Sequence, residues 1–468
     1  MGKKIVINPI TRISGFLEIE VKVEGNRIVD AKSSGMLFRG FEKMLQGRSP
    51  LDAVYFTERI CGICSTAHSM ASSIGLEETI GVVPGENDRY IRQLIHGCEF
   101  IQNHLRHTYQ YTLPDYIKGP RIEPLYSVEH QDYRLPDRLN QRLTESYLQS
   151  IEYSRLGHEM LALFGGKAPH NHGIFVGGVT VNLDAAKVIK FKSLLSSIKE
   201  FVVGRMVEDI CIIGEYYPEY YQNGAGYKNL MSYGSFQNIQ GKNLYSSPEV
   251  YINGQLSTFD PNYISENIYH AWYQSEQVSL EPGEPPVEAN RQREEGYSWV
   301  KAPRYNGYPM EVGPLARMIL SGEYNGGIST MDRTIARVLE VKKVIKIMER
   351  LLEIVKPIPA SQSQYSIPAQ GKGVGLVDTT RGGLGHWIKI ENERIKYYDI
   401  ITPTAWNLSP TDSKGVKGVI EEALIGTEIQ NINAPVEIGR IVRSFDPCVS
   451  CATHIISDKA GSLKVRVL

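Results

Sequence analysis

Leu17, Ile19, Val21 and Val23 alternate with Glu18, Glu20 and Lys22, a period of two that gives a β-strand one apolar face. The turn residues Glu24, Gly25 and Asn26 lead into RIVDAKSSG, so the two runs predict a hairpin. A second alternating stretch, WIKIENERIKYYDI, predicts another hairpin over 387–400. Elsewhere the period lengthens, and helices are expected over roughly 66–80, 87–111, 137–163 and 184–215. The clearest begins near 331, where Ile335, Val338, Val341, Ile345, Met348, Leu352 and Val355 recur every three or four positions until Pro357 stops the helix. Residues 222–310 are rich in Gly, Tyr, Asn, Ser and Pro and show little period, which predicts strands and long loops laid over a helical core. No internal repeat or low-complexity tract breaks the chain. The expected fold is α+β and mainly α: a central helix bundle with small peripheral β-sheets, one compact unit over 1–454, and a short extension over 455–468.

Composition narrows the function. The 468 residues suffice for a large core, and 51 basic residues face 52 acidic ones with no lysine or arginine block, so nucleic acid is not an expected partner. No stretch approaches the ~18 apolar residues of a membrane span, and MGKKIVINPI lacks the apolar core of a signal peptide, so the chain reads as soluble with no export address of its own. Six cysteines are too sparse for a disulfide framework, and four of them fall in two C-x-x-C pairs, which points to metal or redox chemistry. Cys98 and Cys211 stand alone and read as small buried hydrophobes.

The first pair lies in ERICGICSTAHS, with Cys61, Cys64 and His68; the second lies in DPCVSCATH, with Cys448, Cys451 and His454. Brought together, four thiolates make a soft site for zinc, an iron–sulfur cluster, or nickel with iron, and residue type alone leaves these open beside thioredoxin-like redox pairs. Zinc ribbons hold their pairs ~15–20 residues apart, whereas nearly the full chain separates Cys64 from Cys448. Arg59 stands beside the first pair and Asp446 beside the second, while TTRGGLGHW supplies Arg381 and His386 and ITPTAWN supplies Pro403 and Thr404. Arginine, aspartate and hydroxyl groups near thiolates suit a catalytic centre that handles protons or anionic ligands.

R-x-C-G-x-C-x-x-x-H near the amino end and D-P-C-x-x-C-x-x-H near the carboxyl end resemble the signature pair of the large, catalytic subunit of nickel-iron hydrogenases. NPITRISGFLEIEV, MLFRGFEKMLQGR, FGGKAPHNHGIFVGG, YSWVKAPRYNGYPMEVGPLAR, RGGLGHW and TPTAWN extend the resemblance across the chain in family order, and YSWVKAPRY is most similar to the respiratory, uptake-type branch. The resemblance implies that family's fold and its reaction, reversible heterolytic cleavage of H2 at a nickel-iron centre whose iron carries cyanide and carbon monoxide. It implies Cys61 and Cys448 as terminal nickel ligands, and Cys64 and Cys451 as ligands shared with iron. Arg381, Thr404 and backbone near Pro403 would hydrogen-bond the cyanides, the Cys448 thiolate would take the proton, and Asp115 and Asp446 would orient Arg381 over the open metal position. Glu42 and His454 match the family's magnesium or iron site, and His68 is expected to buttress the first cysteine loop.

One departure stands out in TRISGF, where Ser14 takes the place of the family's common proton-passing glutamate and Phe16 that of a common histidine. A relay through water and another acid is expected instead, with Glu58, which adjoins the cysteine loop, as the candidate. Electrons need an iron-sulfur small subunit, whose twin-arginine signal would carry a folded pair to the periplasm or the membrane surface, the precursor remaining cytoplasmic. The family's maturation adds nickel and iron insertion chaperones and an endopeptidase, which would cut between His454 and Ile455. On this reading Cys448 and Cys451 close the site only after Ile455–Leu468 is removed. Three alternatives remain: a hydrogen sensor with low turnover, a zinc-stapled structural protein, and a relative of the quinone-side subunit of respiratory complex I, which would lack the four cysteines.

Overall fold

Two long helices, Glu86–Arg106 and Thr330–Ile354, pack together at the centre of the largest core. The computed structural model describes residues 2–122, 130–237, 243–361 and 363–452. Ile91, Leu94, Ile95 and Ile101 of the first helix meet Val341, Ile345 and Met348 of the second, and Asp137–Gly165, Ala185–Phe201 and Val207–Tyr216 close around them. Three of the expected helix starts have visible causes. Ser329 Oγ and the Asp184 carboxylate each accept from a backbone amide in the following first turn, and Pro136 precedes the third. The helix expected to reach Val355 ends at Ile354, because Pro357 forces the residues before it into extended backbone.

The expected helix over 87–111 becomes a wider, π-helical turn over His107–Thr112 before ending in a tight turn, Leu113–Asp115. A similar wide turn, Val202–Met206, joins the two helices into which the expected 184–215 helix divides. Such turns insert one residue and are frequent at functional sites. Here the first of them turns the helix past the second cysteine segment, since His107 Nε2 contacts Arg443 O at 2.7 Å.

Both expected hairpins form, each with a third strand that the alternation did not reveal. Leu17–Glu24 and Arg27–Gly35 pair as expected, and Lys3–Ile7 adds to them. Their apolar face, Leu17, Ile19, Val21 and Val23, packs on Val419, Ile420, Ile438 and Ile441 from the carboxyl-terminal quarter. This contact carries the start of the chain to the second cysteine pair. Gly382–Glu391 and Arg394–Ile401 form the second hairpin about Asn392 and Glu393, both at positive φ, and Gln370–Thr379 completes the sheet. That sheet lies directly on the helix Ser65–Ile80, and Gly375 permits it: a Cβ there would stand 1.8 Å from Ala71 O. The described residues of 222–310 hold short strands and loops, as expected. Cys98 is buried as expected, whereas Cys211 is exposed on the outward side of Val207–Tyr216.

Candidate metal centre

The first cysteine pair occupies the loop between two helices, Asp52–Glu58 and Ser65–Ile80. Cys61 N bonds Glu58 O, which curls the loop, and Ile63 N points at Cys61 Sγ at 3.3 Å. The helix after Cys64 lacks a side-chain cap of its own. The buried Glu99 carboxylate fills that role from the neighbouring helix, accepting from Thr66 N at 2.7 Å and Ala67 N at 3.2 Å.

The second pair follows the helix Val436–Ser444 through Asp446, which sits at φ 53, and Pro447. Cys448 N donates to Thr404 Oγ1 at 3.1 Å, and Cys451 N bonds Cys448 O. Ser14 lies alongside, its N donating to Pro447 O and its O accepting from Val449 N. Arg39 ties the two segments together, one guanidinium nitrogen donating to both Ile60 O and Ser450 O.

The result is convergence of four sulfurs from opposite ends of the chain. Cys61 and Cys448 are 3.3 Å apart, Cys64 and Cys451 3.2 Å, and Cys448 and Cys451 2.9 Å, all within 4.8 Å of one another and all buried. Among the described residues no other cluster of cysteine, histidine and carboxylate groups has metal-binding geometry. The thiols divide in acidity. Hydrogen bonds from the other three pull Cys61 well below the usual thiol range, with Arg381 assisting, whereas Cys64 and Cys451 lie well above it. One negative charge in the cluster thus opposes the next, and four thiolates require a cation among them.

Arg381 stands over the sulfurs from the strand end at Gly382. Its Nε donates to Asp446 O at 2.7 Å, and its Nη2 to Asp446 Oδ1 at 2.9 Å and Asn103 Oδ1 at 2.8 Å. Its Nη1 is buried without a partner and borders the same pocket as Cys64, Cys448, Cys451, Pro403 and Thr404. An orphaned guanidinium donor at the edge of a thiolate pocket fits an acceptor or anion there. Burial works to raise the Asp446 carboxyl, but Arg381, His107 and Arg337 hold it well below the usual carboxylate range.

Asp115 differs from the sequence expectation. Its carboxylate is engaged by Arg12 Nη2 at 2.6 Å and by Arg443 Nε and Nη2 at 2.7 and 2.6 Å, so it does not orient Arg381. It instead locks the segments that carry Ser14 and Cys448, and the place beside Arg381 belongs to Asn103. Asn103 and Glu99 escaped the sequence reading. Their signal was a stripe of polar residues at helical spacing, His96, Glu99, Asn103 and His107, running down a helix that is otherwise core.

Glu42 lies apart from the sulfurs, accepting from Ile400 N at 3.1 Å. It shares its surroundings with Glu266, Asp399 and Lys301, whose Nζ is 2.6 Å from Glu266 and 3.4 Å from Asp399. Burial, with Asp399 and Glu266 nearby, pushes Glu42 well above the usual range against the pull of Lys301. His454, Ile455 and the rest of the extension lie outside the described residues. Glu58 is buried beside the first loop, accepts from Asn171 Nδ2 at 3.1 Å, and is raised by burial to about 8.

The family model for nickel-dependent hydrogenase matches residues 39–124, 119–327 and 322–454. The chain belongs to the nickel-dependent hydrogenase family. Hydrogenase relatives run its full length. The periplasmic [NiFeSe] hydrogenase large subunit of Desulfomicrobium baculatum is 35% identical over 98% of this chain and 96% of its own. The uptake hydrogenase large subunit of Bradyrhizobium diazoefficiens is 30% identical over 100% and 98%. A solved [NiFeSe]-hydrogenase structure from Dm. baculatum superposes with a TM-score of 0.94 at 35% identity, covering 97% of this chain and 100% of that one. This hydrogenase chain is therefore a catalytic large subunit, an oxidoreductase that cleaves H2, and its helix-rich fold with small sheets is the family's. Its relatives include uptake types and [NiFeSe] types alike, and all four pocket positions here are cysteine. The zinc-stapled reading falls with the family match.

Proposed function

We propose that Cys61, Cys64, Cys448 and Cys451 hold the nickel-iron centre, with Cys61 and Cys448 on nickel alone and Cys64 and Cys451 shared with iron. The convergence of the four buried sulfurs carries this reading. The donor set suits it: soft thiolates for nickel and iron, and an unpaired Arg381 Nη1 for the iron's cyanide. When bound, the centre supplies the acceptor for the electron pair of H2, the half of heterolytic cleavage that no side chain can perform.

The chain's own residues handle the other half. Cys448 Sγ is the base that receives the proton. Arg381 is held over that sulfur by Asp446 and Asn103, so its charge stabilises the thiolate before the proton arrives and its position costs no reorganisation during the step. Thr404 fixes Cys448 through its amide, and Pro403 and Thr404 line the pocket, where they would meet the iron's diatomic ligands. Ser14 can pass the proton onward only through its hydroxyl and water, and Glu58, neutral at pH 7, is the acid proposed to continue that route.

Two further assignments belong to this reading. Glu42, a buried carboxyl near Asp399, Glu266 and Lys301, and His454 would hold a hard cation, magnesium or iron, as the family resemblance implies. Electrons leave through an iron-sulfur small subunit, and export with that subunit to the periplasm or membrane surface follows from it. The described chain has no helix long and apolar enough to cross a membrane. Residues 455–468 are proposed as an extension cut after His454 during maturation. Nickel and iron analysis of the matured protein and its Cys61→Ser variant tests the assignment: nickel is expected in the first and lost in the second, and equal nickel in both contradicts it.

A further inference from the structure

Four buried groups form a hydrogen-bonded chain that begins at the cysteine pocket and returns to the helix it left. His68 Nδ1 lies 3.1 Å from His386 Nε2, His386 Nδ1 lies 2.8 Å from Tyr398 Oη, and Tyr398 Oη lies 3.0 Å from Ser72 Oγ. His68 and Ser72 stand one turn apart on the helix after Cys64, and His386 and Tyr398 face them from adjacent strands. None of the four is more than 1% exposed. The His68 ring lines the pocket with Cys64, Cys448, Cys451 and Arg381, and among the described residues its Nε2 takes no hydrogen bond.

Burial disfavours the charged imidazolium, and a neutral imidazole donates from one nitrogen and accepts at the other. The chain therefore has two self-consistent polarities. In one, Tyr398 donates to Ser72, each histidine donates from Nδ1, and His68 Nε2 presents a lone pair to the pocket. In the other, Ser72 donates to Tyr398, Tyr398 donates to His386 Nδ1, His386 donates from Nε2 to His68 Nδ1, and His68 Nε2 carries the proton. All four residues are neutral in both. A lone pair suits thiols that retain their protons; an N–H suits thiolates.

We propose that Tyr398 and His386 are positioning residues that hold His68 in its Nε2–H form once the four sulfurs are thiolates, so that the ring donates into the metal pocket. The proposal rests on the nickel-iron reading above. Each bond in such a chain polarises the next, so the Tyr398 hydroxyl strengthens a donor two residues away. Donation to sulfur withdraws charge from the centre and raises the stretching frequency of carbon monoxide on iron. Ser72→Ala leaves the phenol only His386 to donate to and preserves this polarity. Tyr398→Phe removes it while keeping the ring.

Infrared spectra of matured wild type, Tyr398→Phe and Ser72→Ala, each with its nickel content, test this. The carbon monoxide band of Tyr398→Phe is expected at lower wavenumber with nickel retained, and that of Ser72→Ala at the wild-type position. Identical bands in all three proteins, or a Ser72→Ala band displaced as far as that of Tyr398→Phe, overturns the proposal. A matured wild type without diatomic bands sinks the nickel-iron reading itself, and the proposal with it. Should Tyr398→Phe take up no nickel, 3-fluorotyrosine placed at position 398 is a stronger donor; the band then moves to higher wavenumber, and an unmoved band overturns the proposal.

Discussion

Arg381 Nη2 donates to Asp446 Oδ1 at 2.9 Å, and the pair is closed into a triangle by Asn103, whose Oδ1 accepts from Arg381 and whose Nδ2 donates to Asp446 Oδ2. The amide is neutral, so it fixes both charged partners without adding a charge beside the sulfurs. Arg381→Lys keeps the positive charge but loses the planar fork that makes three of these bonds at once. Turnover is expected to fall by about 10²–10³-fold, the cost typical of a lost transition-state donor. Nickel content should be unchanged, and H2 oxidation assayed alongside metal analysis separates the two effects.

Asp115 predicts the opposite pattern. It touches neither Arg381 nor the sulfurs but neutralises Arg12 and Arg443, so Asp115→Asn leaves two guanidinium groups sharing a buried amide. A loss of about 3–5 kcal/mol in unfolding free energy is expected, read by denaturant titration, with residual folded enzyme retaining its turnover per nickel. Burial acts to raise this carboxyl, but Arg12 and Arg443 outweigh it and depress the folded pKa. Its stabilising contribution is therefore present above the unfolded pKa of about 3.9. It is lost as pH falls below that value toward the folded pKa, and Asp115→Asn should flatten the acid limb of the stability profile.

Glu58 carries a shift of the other sign. With a folded pKa of about 8, raised chiefly by burial, it keeps its proton in the folded protein while the unfolded chain releases it above the ordinary glutamate range. The folded state then binds more protons, so stability falls as pH rises from about 4.5 to 8. Glu58→Gln should remove that part of the slope, seen as a smaller drop in melting temperature between pH 6 and pH 8, roughly the upper half of the window. If Glu58 also carries the proton onward, turnover and proton exchange fall together in the same variant. Full retention of both removes Glu58 from the route.

Arg39 is the visible link between the cysteine segments, through Ile60 O and Ser450 O. Arg39→Gln is expected to let them part in metal-free protein. Alkylation of Cys448 and Cys451 should then be faster than in wild type, and matured enzyme should release nickel more readily to chelator. Unchanged alkylation rates would place the link elsewhere.

The sequence showed much of this molecule because its periodic segments are long and its cysteine motifs carry unusual spacing. Both hairpins and the long helix from 330 were readable, since one face of each is apolar at a regular period. The added strands Lys3–Ile7 and Gln370–Thr379 were hidden. The first is largely exposed, and the second owes its place to glycines that let it touch a helix, a contact that alternation does not encode. Cys61, Cys64, Cys448, Cys451, Arg381 and Asp446 were legible from motifs and do meet in space. Asp115 was misplaced because an aspartate near a tight turn looks the same whether it pairs with Arg381 or with Arg12 and Arg443. Asn103 was missed because a neutral amide in a core helix gives no charge signal, and only the fold aims it at the arginine.

Infrared spectroscopy of the matured protein, with nickel and iron measured on the same sample, tests the central claim most directly. The four-thiolate pocket predicts nickel and iron together and stretching bands from carbon monoxide and cyanide on iron, all lost in Cys451→Ser. Fully matured protein with neither nickel nor diatomic bands would contradict it.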